Sequence, residues 1–152
     1  IQIGAADSIR SGVHPVDEPV GQIQGDATWM WTIQRRKTLR VGAINVLNFF
    51  TTIDQGQDTC GPGGDAGCRG ADSNAELARQ REKTVTALLD SGSDILGLTE
   101  LQNNRDASLR VLVDAMNARI GSDDFAFIDT GTVHTDVIKA GIIYRRSTVT
   151  PG

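Results

Sequence analysis

Three runs of branched and apolar residues constrain this chain more than anything else in it: residues 39–47, 94–100 and 137–144. Each is short, rich in Val, Ile and Leu, and bounded by turn-forming residues, which reads as a strand. Two stretches of helical spacing separate them. Ser73-Asn-Ala-Glu76 has the form of a capping box, with Ser73 as N-cap. The helix it opens runs to about Ser91, with Leu77, Val85, Leu88 and Leu89 on one face and Gly92 at its left-handed C-terminal position. A second helix spans 107–120, with Leu109, Leu112, Val113, Met116 and Ile120 at helical spacing, Asp106 as N-cap and Gly121 as terminator. A short strand at 125–129 precedes the last long run, and residues 147–150 read as the start of a further strand. The order β, α, β, α, β, β calls for parallel strands joined by helical crossovers and then an antiparallel hairpin. The expected fold is α/β, a mixed sheet with its helices on one face. The strand text is apolar nearly throughout, which asks for burial on both faces. Two helices cover one face, so the sheet calls for another layer that these residues do not supply.

The glycine-rich segment from Asp58 to Asp72 contains the only cysteines, Cys60 and Cys68, with seven residues between them. Glycine and proline keep it from becoming a helix or an inner strand. A zinc site needs about four ligands, and the two histidines, His14 and His134, are far away in sequence. A C-x-x-C redox motif is absent. The economical reading is a disulfide closing a surface loop, which belongs to an oxidising compartment. A pair of reduced thiols in a cytosolic loop is the alternative.

Residues 39–152 form the main domain, and 1–38 read as an upstream segment leading into it. Within that segment Trp29-Met-Trp-Thr-Ile33 reads as a strand, and Gln34-Arg-Arg-Lys37 as a solvated connection. A length of 152 residues suits one domain. With 39% hydrophobic and 22% charged residues the chain is not a disordered one. A net charge of −4 disfavours a domain that grips nucleic acid by charge alone. An acidic enzyme acting on nucleic acid is compatible with it, because bound divalent metals supply the positive charge. No apolar run approaches about 18 residues, so no membrane span is expected. Nothing has the shape of a signal peptide, and a start at Ile1 reads as a processed product or a fragment.

Polar residues stand where a core strand has no use for them. Asn45 interrupts the first run; it either satisfies a local backbone irregularity or projects into a polar site at the strand end. Glu100 closes the second run. It is either a solvated loop acid or a carboxylate held at a strand's carboxyl end, where ligands of α/β sheets gather and where Mg²⁺ takes one or two carboxylates. Arg145 follows the last strand and either grips a phosphate as a fork or is solvated with Arg146. Asp136 opens the same strand as a cap, a turn residue or a site acid. His14 and His134 read as ordinary surface histidines.

Five motifs, in order, resemble the secreted bacterial extracellular nucleases of the endonuclease/exonuclease/phosphatase superfamily, the DNase I-like fold. They are residues 39–52 (Leu-Arg-Val-Gly-Ala-Ile-Asn-Val-Leu-Asn-Phe-Phe-Thr-Thr), the glycine loop ending Cys68-Arg-Gly-Ala71, Ala78-Arg-Gln-Arg-Glu-Lys83, residues 94–104 (Asp-Ile-Leu-Gly-Leu-Thr-Glu-Leu-Gln-Asn-Asn), and residues 135–145 (Thr-Asp-Val-Ile-Lys-Ala-Gly-Ile-Ile-Tyr-Arg). The resemblance covers 39–152. It implies half of a four-layer α/β sandwich and metal-assisted hydrolysis of a phosphodiester, with DNA as substrate, RNA being possible, and Mg²⁺, Ca²⁺ or Mn²⁺ as cofactor. It implies that Glu100 binds the metal, that Asn45 lies in the phosphate and metal site, that Arg145 contacts phosphate and that Asp136 is near the site. A metal on Glu100 would stabilise charge in the transition state, and a histidine–aspartate pair would activate water. The family's later histidine strand, Gly-Asp-x-Asn and Ser-Asp-His do not occur here, so the resemblance implies an N-terminal half that lacks its C-terminal partner and is inactive alone. The rivals are another phosphoesterase of the superfamily, acting on a lipid head group or small phosphate ester, and a non-catalytic binding module.

Overall fold

The computed structural model describes residues 38–152 together with Gly21–Gln22 and Met30–Trp31. The chain divides into two units, Ile1–Thr38 and Leu39–Gly152. In the first, strands β1 (Gly21–Gln22) and β2 (Met30–Trp31) pair antiparallel; the expected connection at 34–37 and His14 lie outside the described residues.

In the second unit the apolar runs become a four-stranded mixed sheet. Strand β3 is Val41–Phe49. A small ladder, β4 (Asp58–Cys60) with β5 (Ala66–Gly67), lies in the glycine loop and outside the main sheet. Helix α1 is Asn74–Asp90, β6 is Ile95–Gln102, α2 is Ala107–Ile120, β7 is Phe125–Phe127 and β8 is Ile138–Arg145. The sheet order is β3-β6-β8-β7. Strands β3 and β6 are parallel, β8 runs antiparallel to both its neighbours, and β7 and β8 are the expected hairpin. The fold is therefore mixed α/β, as the element order requires.

Local chemistry sets the ends of α1. Glu76 N–H donates to Ser73 Oγ at 3.3 Å, and the Glu76 carboxylate accepts Asp72 N–H at 3.3 Å, one residue upstream of the usual box. Gly92 takes φ +61, as its place after the last turn requires. Asp106 stands at the N-cap of α2 and Gly121, at φ +69, ends it, as expected. Asp106 makes no side-chain cap bond. Its carboxylate instead receives Lys139 Nζ at 2.8 Å and Gly131 N–H at 3.0 Å. Ile120, in the last turn, is exposed. Residues 147–150 do not start a strand: Thr148 N–H and Val149 N–H turn back to the Arg145 carbonyl.

Both helices pack on one sheet face. Val85 and Leu88 from α1 and Leu109, Leu112, Val113 and Met116 from α2 meet Val46, Phe49, Leu96, Leu98, Leu101 and Ile143 in a single core. Gly141 permits a close approach in this core, since a Cβ there would lie 2.8 Å from Leu101 and 2.9 Å from Leu109. The other face carries no layer among the described residues. Val41, Ala43, Asn45, Thr99, Ala140 and Ile142 are exposed on it, Val41 by 71% and Ile142 by 44%. Cys60 and Cys68 form a disulfide. It is buried with Phe50 and Val137 in a second, smaller cluster.

Candidate functional site

Strand β6 breaks register with both its neighbours, β3 and β8, at the same level. Between Asn45 and Phe49 strand β3 advances four residues while β6 advances two. Between Leu98 and Leu101 strand β6 advances three while β8 retreats two. The extra residues form bulges, which re-aim side chains. Three of them hold left-handed backbone without being glycine: Leu47 at φ 53, Asn48 at φ 51 and Glu100 at φ 62. Each such residue costs about 1–3 kcal/mol, and such strain clusters at functional sites.

The bulges bring Asn45 and Glu100 together. Asn45 Nδ2 donates to Glu100 Oε1 at 2.7 Å, and Asn48 N–H donates to Glu100 Oε2 at 3.1 Å. Asn45 Oδ1 accepts Leu47 N–H at 2.8 Å. The carboxylate is thus gripped at both oxygens while each keeps a free lone pair. Both readings of Asn45 hold at once, since one end satisfies the irregular backbone and the other faces the acid. Of the roles expected of Asn45, the geometry shows one that orients Glu100: the amide nitrogen meets the carboxylate and the amide oxygen takes the Leu47 N–H. The glycine loop closes behind the bulge, where Gly70 (φ +125) would place a Cβ 2.9 Å from the Asn48 carbonyl oxygen.

Arg145 does not join this pair. Its backbone N–H donates to the Asp94 carbonyl at 2.8 Å, before the start of β6. Six residues of strand separate Asp94 from Glu100, about 15–20 Å. Arg145 sits 4.4 Å over the Phe125 ring, and its Nη1 donates to Asp124 Oδ2 at 2.8 Å. An antiparallel β8 that starts at the Glu100 rim must end at the opposite one, which is why its last residue, Arg145, cannot serve the same site. The phosphate contact expected of Arg145 is corrected accordingly. At that opposite rim, hydrogen bonding from Arg40 N–H, ahead of the opposing effect of burial, leaves Asp94 below the ordinary carboxylate range. Burial works to raise Asp124, and Ser147 and Arg145 outweigh it, so it too lies below that range.

Asp136 lies at the Glu100 rim, because β8 begins where β6 ends. It is exposed, and its Oδ1 accepts Ile138 N–H at 3.4 Å, a turn within its own segment. Its backbone carbonyl accepts Asn103 Nδ2 at 2.8 Å. His134 is exposed.

Several polar residues of this rim carry no sequence expectation. Gln102, 2% exposed, accepts Thr51 N–H and Thr52 N–H and donates to Thr52 Oγ1 and Cys60 Sγ, tying the end of β3 to the disulfide loop. Asn104 Nδ2 donates to Thr51 Oγ1 at 2.8 Å. The run of three amides, Gln102-Asn103-Asn104, after an apolar strand was the available signal. Lys139, 5% exposed, was equally visible as a cation inside a strand. Burial works to raise the Asp106 carboxyl; hydrogen bonding with Asp129, Lys139 and Gly131 N–H, and then the Lys139 charge, carry it below its ordinary value.

Among the described residues no group of three His, Cys, Asp or Glu side chains converges as a metal cage. The donor set fits the sparser habit of Mg²⁺, which takes one or two carboxylates and fills its remaining positions with water and substrate oxygens. Glu100, fixed at a strand's carboxyl end with lone pairs free, could supply one such carboxylate. No family model, curated protein or solved structure matches the chain.

Proposed function

We propose that residues 39–152 are the N-terminal half of a secreted, divalent-metal-dependent nuclease of the endonuclease/exonuclease/phosphatase superfamily, hydrolysing phosphodiester bonds of DNA. The observation that carries this reading is the convergence of three strained, non-glycine residues on one gripped carboxylate at a strand's carboxyl end. A fold core has no need of such strain; a preorganised ligand does. In this reading Glu100 holds Mg²⁺ (or Ca²⁺ or Mn²⁺), which supplies charge stabilisation to the phosphoryl group when bound. Asn45 and the Asn48 N–H fix the direction of the carboxylate before substrate arrives, so little reorganisation remains for the reaction. Asp136, exposed at the same rim, would border a bound strand of substrate.

Two features support the rest of the reading. The disulfide suits an oxidising, extracellular setting. The apolar sheet face, uncovered among the described residues, suits a second α/β layer, the other half of the sandwich, which would bring the water-activating histidine–aspartate pair. No described helix is long and apolar enough to cross a membrane.

The test is plasmid degradation by the whole nuclease domain, titrated with Mg²⁺, Ca²⁺ and Mn²⁺. Glu100→Gln should lower turnover at least about 100-fold, the scale of losing one preorganised charge-stabilising group, and leave the melting temperature nearly unchanged. Intact plasmid at high enzyme concentration, or wild-type turnover by Glu100→Gln across the titration, refutes the reading. Cleavage of a small phosphate ester in place of DNA would move the assignment to another phosphoesterase.

A further inference from the structure

We propose that Gln80, on α1, is a positioning residue that sets the direction of Glu100 through the one peptide group joining Leu47 to Asn48. Gln80 Nε2 donates to the Leu47 carbonyl at 3.0 Å. The N–H of that same peptide group belongs to Asn48, and it donates to Glu100 Oε2 at 3.1 Å. In a trans peptide the C=O and N–H point in opposite directions. The helix amide therefore holds one end of the group and the site carboxylate receives the other. Hydrogen bonds chained through a peptide in this way polarise and strengthen one another.

The backbone on either side needs such a hold. Leu47 and Asn48 are both left-handed, a state that persists only when the surroundings over-determine it. A peptide between two such residues has an alternative with its plane turned over. Turned, it would aim a carbonyl oxygen at Glu100, and two acceptors repel. Asn45 Oδ1 fixes the Leu47 N–H, which belongs to the preceding peptide, so it does not choose between the two orientations. Gln80 does. Among the described residues its own Oε1 is buried without a hydrogen-bond partner, so the bond to Leu47 is the polar contact that this side chain makes there.

The hydrogen-bond argument stands without the metal; only its consequence for metal binding rests on the proposed function. The experiment is amide hydrogen exchange by NMR on the full 152-residue chain, with Gln80→Met, which keeps length and removes the donor, and Gln80→Lys, which restores a donor. In Gln80→Met the Asn48 amide should exchange at least tenfold faster, while the amides of Leu96 and Leu98 in β6 stay as in wild type. Gln80→Lys should return Asn48 to slower exchange. Unchanged Asn48 protection in Gln80→Met overturns the proposal. So does equal acceleration of Asn48, Leu96 and Leu98, which would make Gln80 a plain tether of α1 to the sheet. A Mn²⁺ titration on the same samples should show weaker binding in Gln80→Met and none in Glu100→Gln. Wild-type Mn²⁺ binding by Glu100→Gln would remove the metal from the proposed function and leave the exchange result to judge Gln80.

Discussion

Lys139→Met should be the most damaging single change in the sheet. Lys139 and Asp106 are 5% and 7% exposed. The ammonium satisfies its three donors with Asp106 Oδ1 at 2.8 Å, Thr130 Oγ1 at 3.2 Å and the Gly131 carbonyl at 2.6 Å. Methionine fills a similar volume and leaves the Asp106 carboxylate buried with the Gly131 N–H as its remaining backbone donor. Removing one partner of a buried pair costs about 3–5 kcal/mol, because the other charge is left uncompensated. A domain of this size has roughly 5–15 kcal/mol in all, so about a fifth or more of the stability goes. The melting temperature should fall by roughly 10–15 °C. Adding Asp106→Leu removes the stranded charge and should restore at least about 1 kcal/mol, since Gly131 N–H keeps Asp129 Oδ1 at 3.1 Å as its acceptor. Urea unfolding of the wild type, the single variant and the double variant reads these differences.

The acid limb gives an independent check on the same pair. The folded Asp106 carboxyl lies below its ordinary value. Its contribution to stability is full above the unfolded carboxyl value and is lost as pH falls through the lower, folded one. Lys139→Met should therefore flatten part of the stability loss below about pH 4. A single variant within about 1 kcal/mol of wild type, or a double variant no better than the single, would refute the claim that the pair is desolvated and mutually dependent.

Further outcomes follow from the disulfide and from the rim opposite Glu100. Cys60→Ser should destabilise by about 2–3 kcal/mol, the loop entropy of a short closure, with turnover per folded molecule unchanged; equal melting temperatures in oxidising buffer would show that the bond contributes nothing. Arg145→Ala should lower the melting temperature through loss of its contacts with Phe125, Asp94 and Asp124 and leave plasmid cleavage by the whole domain at the wild-type rate. Asp94 and Asp124 are both held below the ordinary carboxylate value. Their stabilisation is present at neutral pH and is lost as pH falls through the folded values, and Arg145→Ala should weaken that dependence. A large fall in cleavage rate with the melting temperature unchanged would return Arg145 to the site.

The chain's own text determined the elements. Branched apolar runs, a Ser73 cap and the glycines at 92 and 121 act over a few residues, so strands and helices were legible to within a residue or two. The disulfide was legible because a glycine-rich segment with two cysteines has few other uses. The mixed sheet followed from the element order, and a face without a layer among the described residues from counting helices against apolar strand faces. What the text did not reveal depends on register and direction. Asn45 and Glu100 were visible as anomalies, but only paired bulges at one level, with Leu47, Asn48 and Glu100 left-handed, turn them toward each other. Arg145 was misplaced because the sequence does not say at which rim an antiparallel strand ends. Asp106 sits at the cap position, but its carboxylate goes to Lys139, 33 positions along the chain. A cap is a local competition for one N–H, whereas a buried charge must be matched wherever the fold brings its partner, and that meeting is made only in three dimensions.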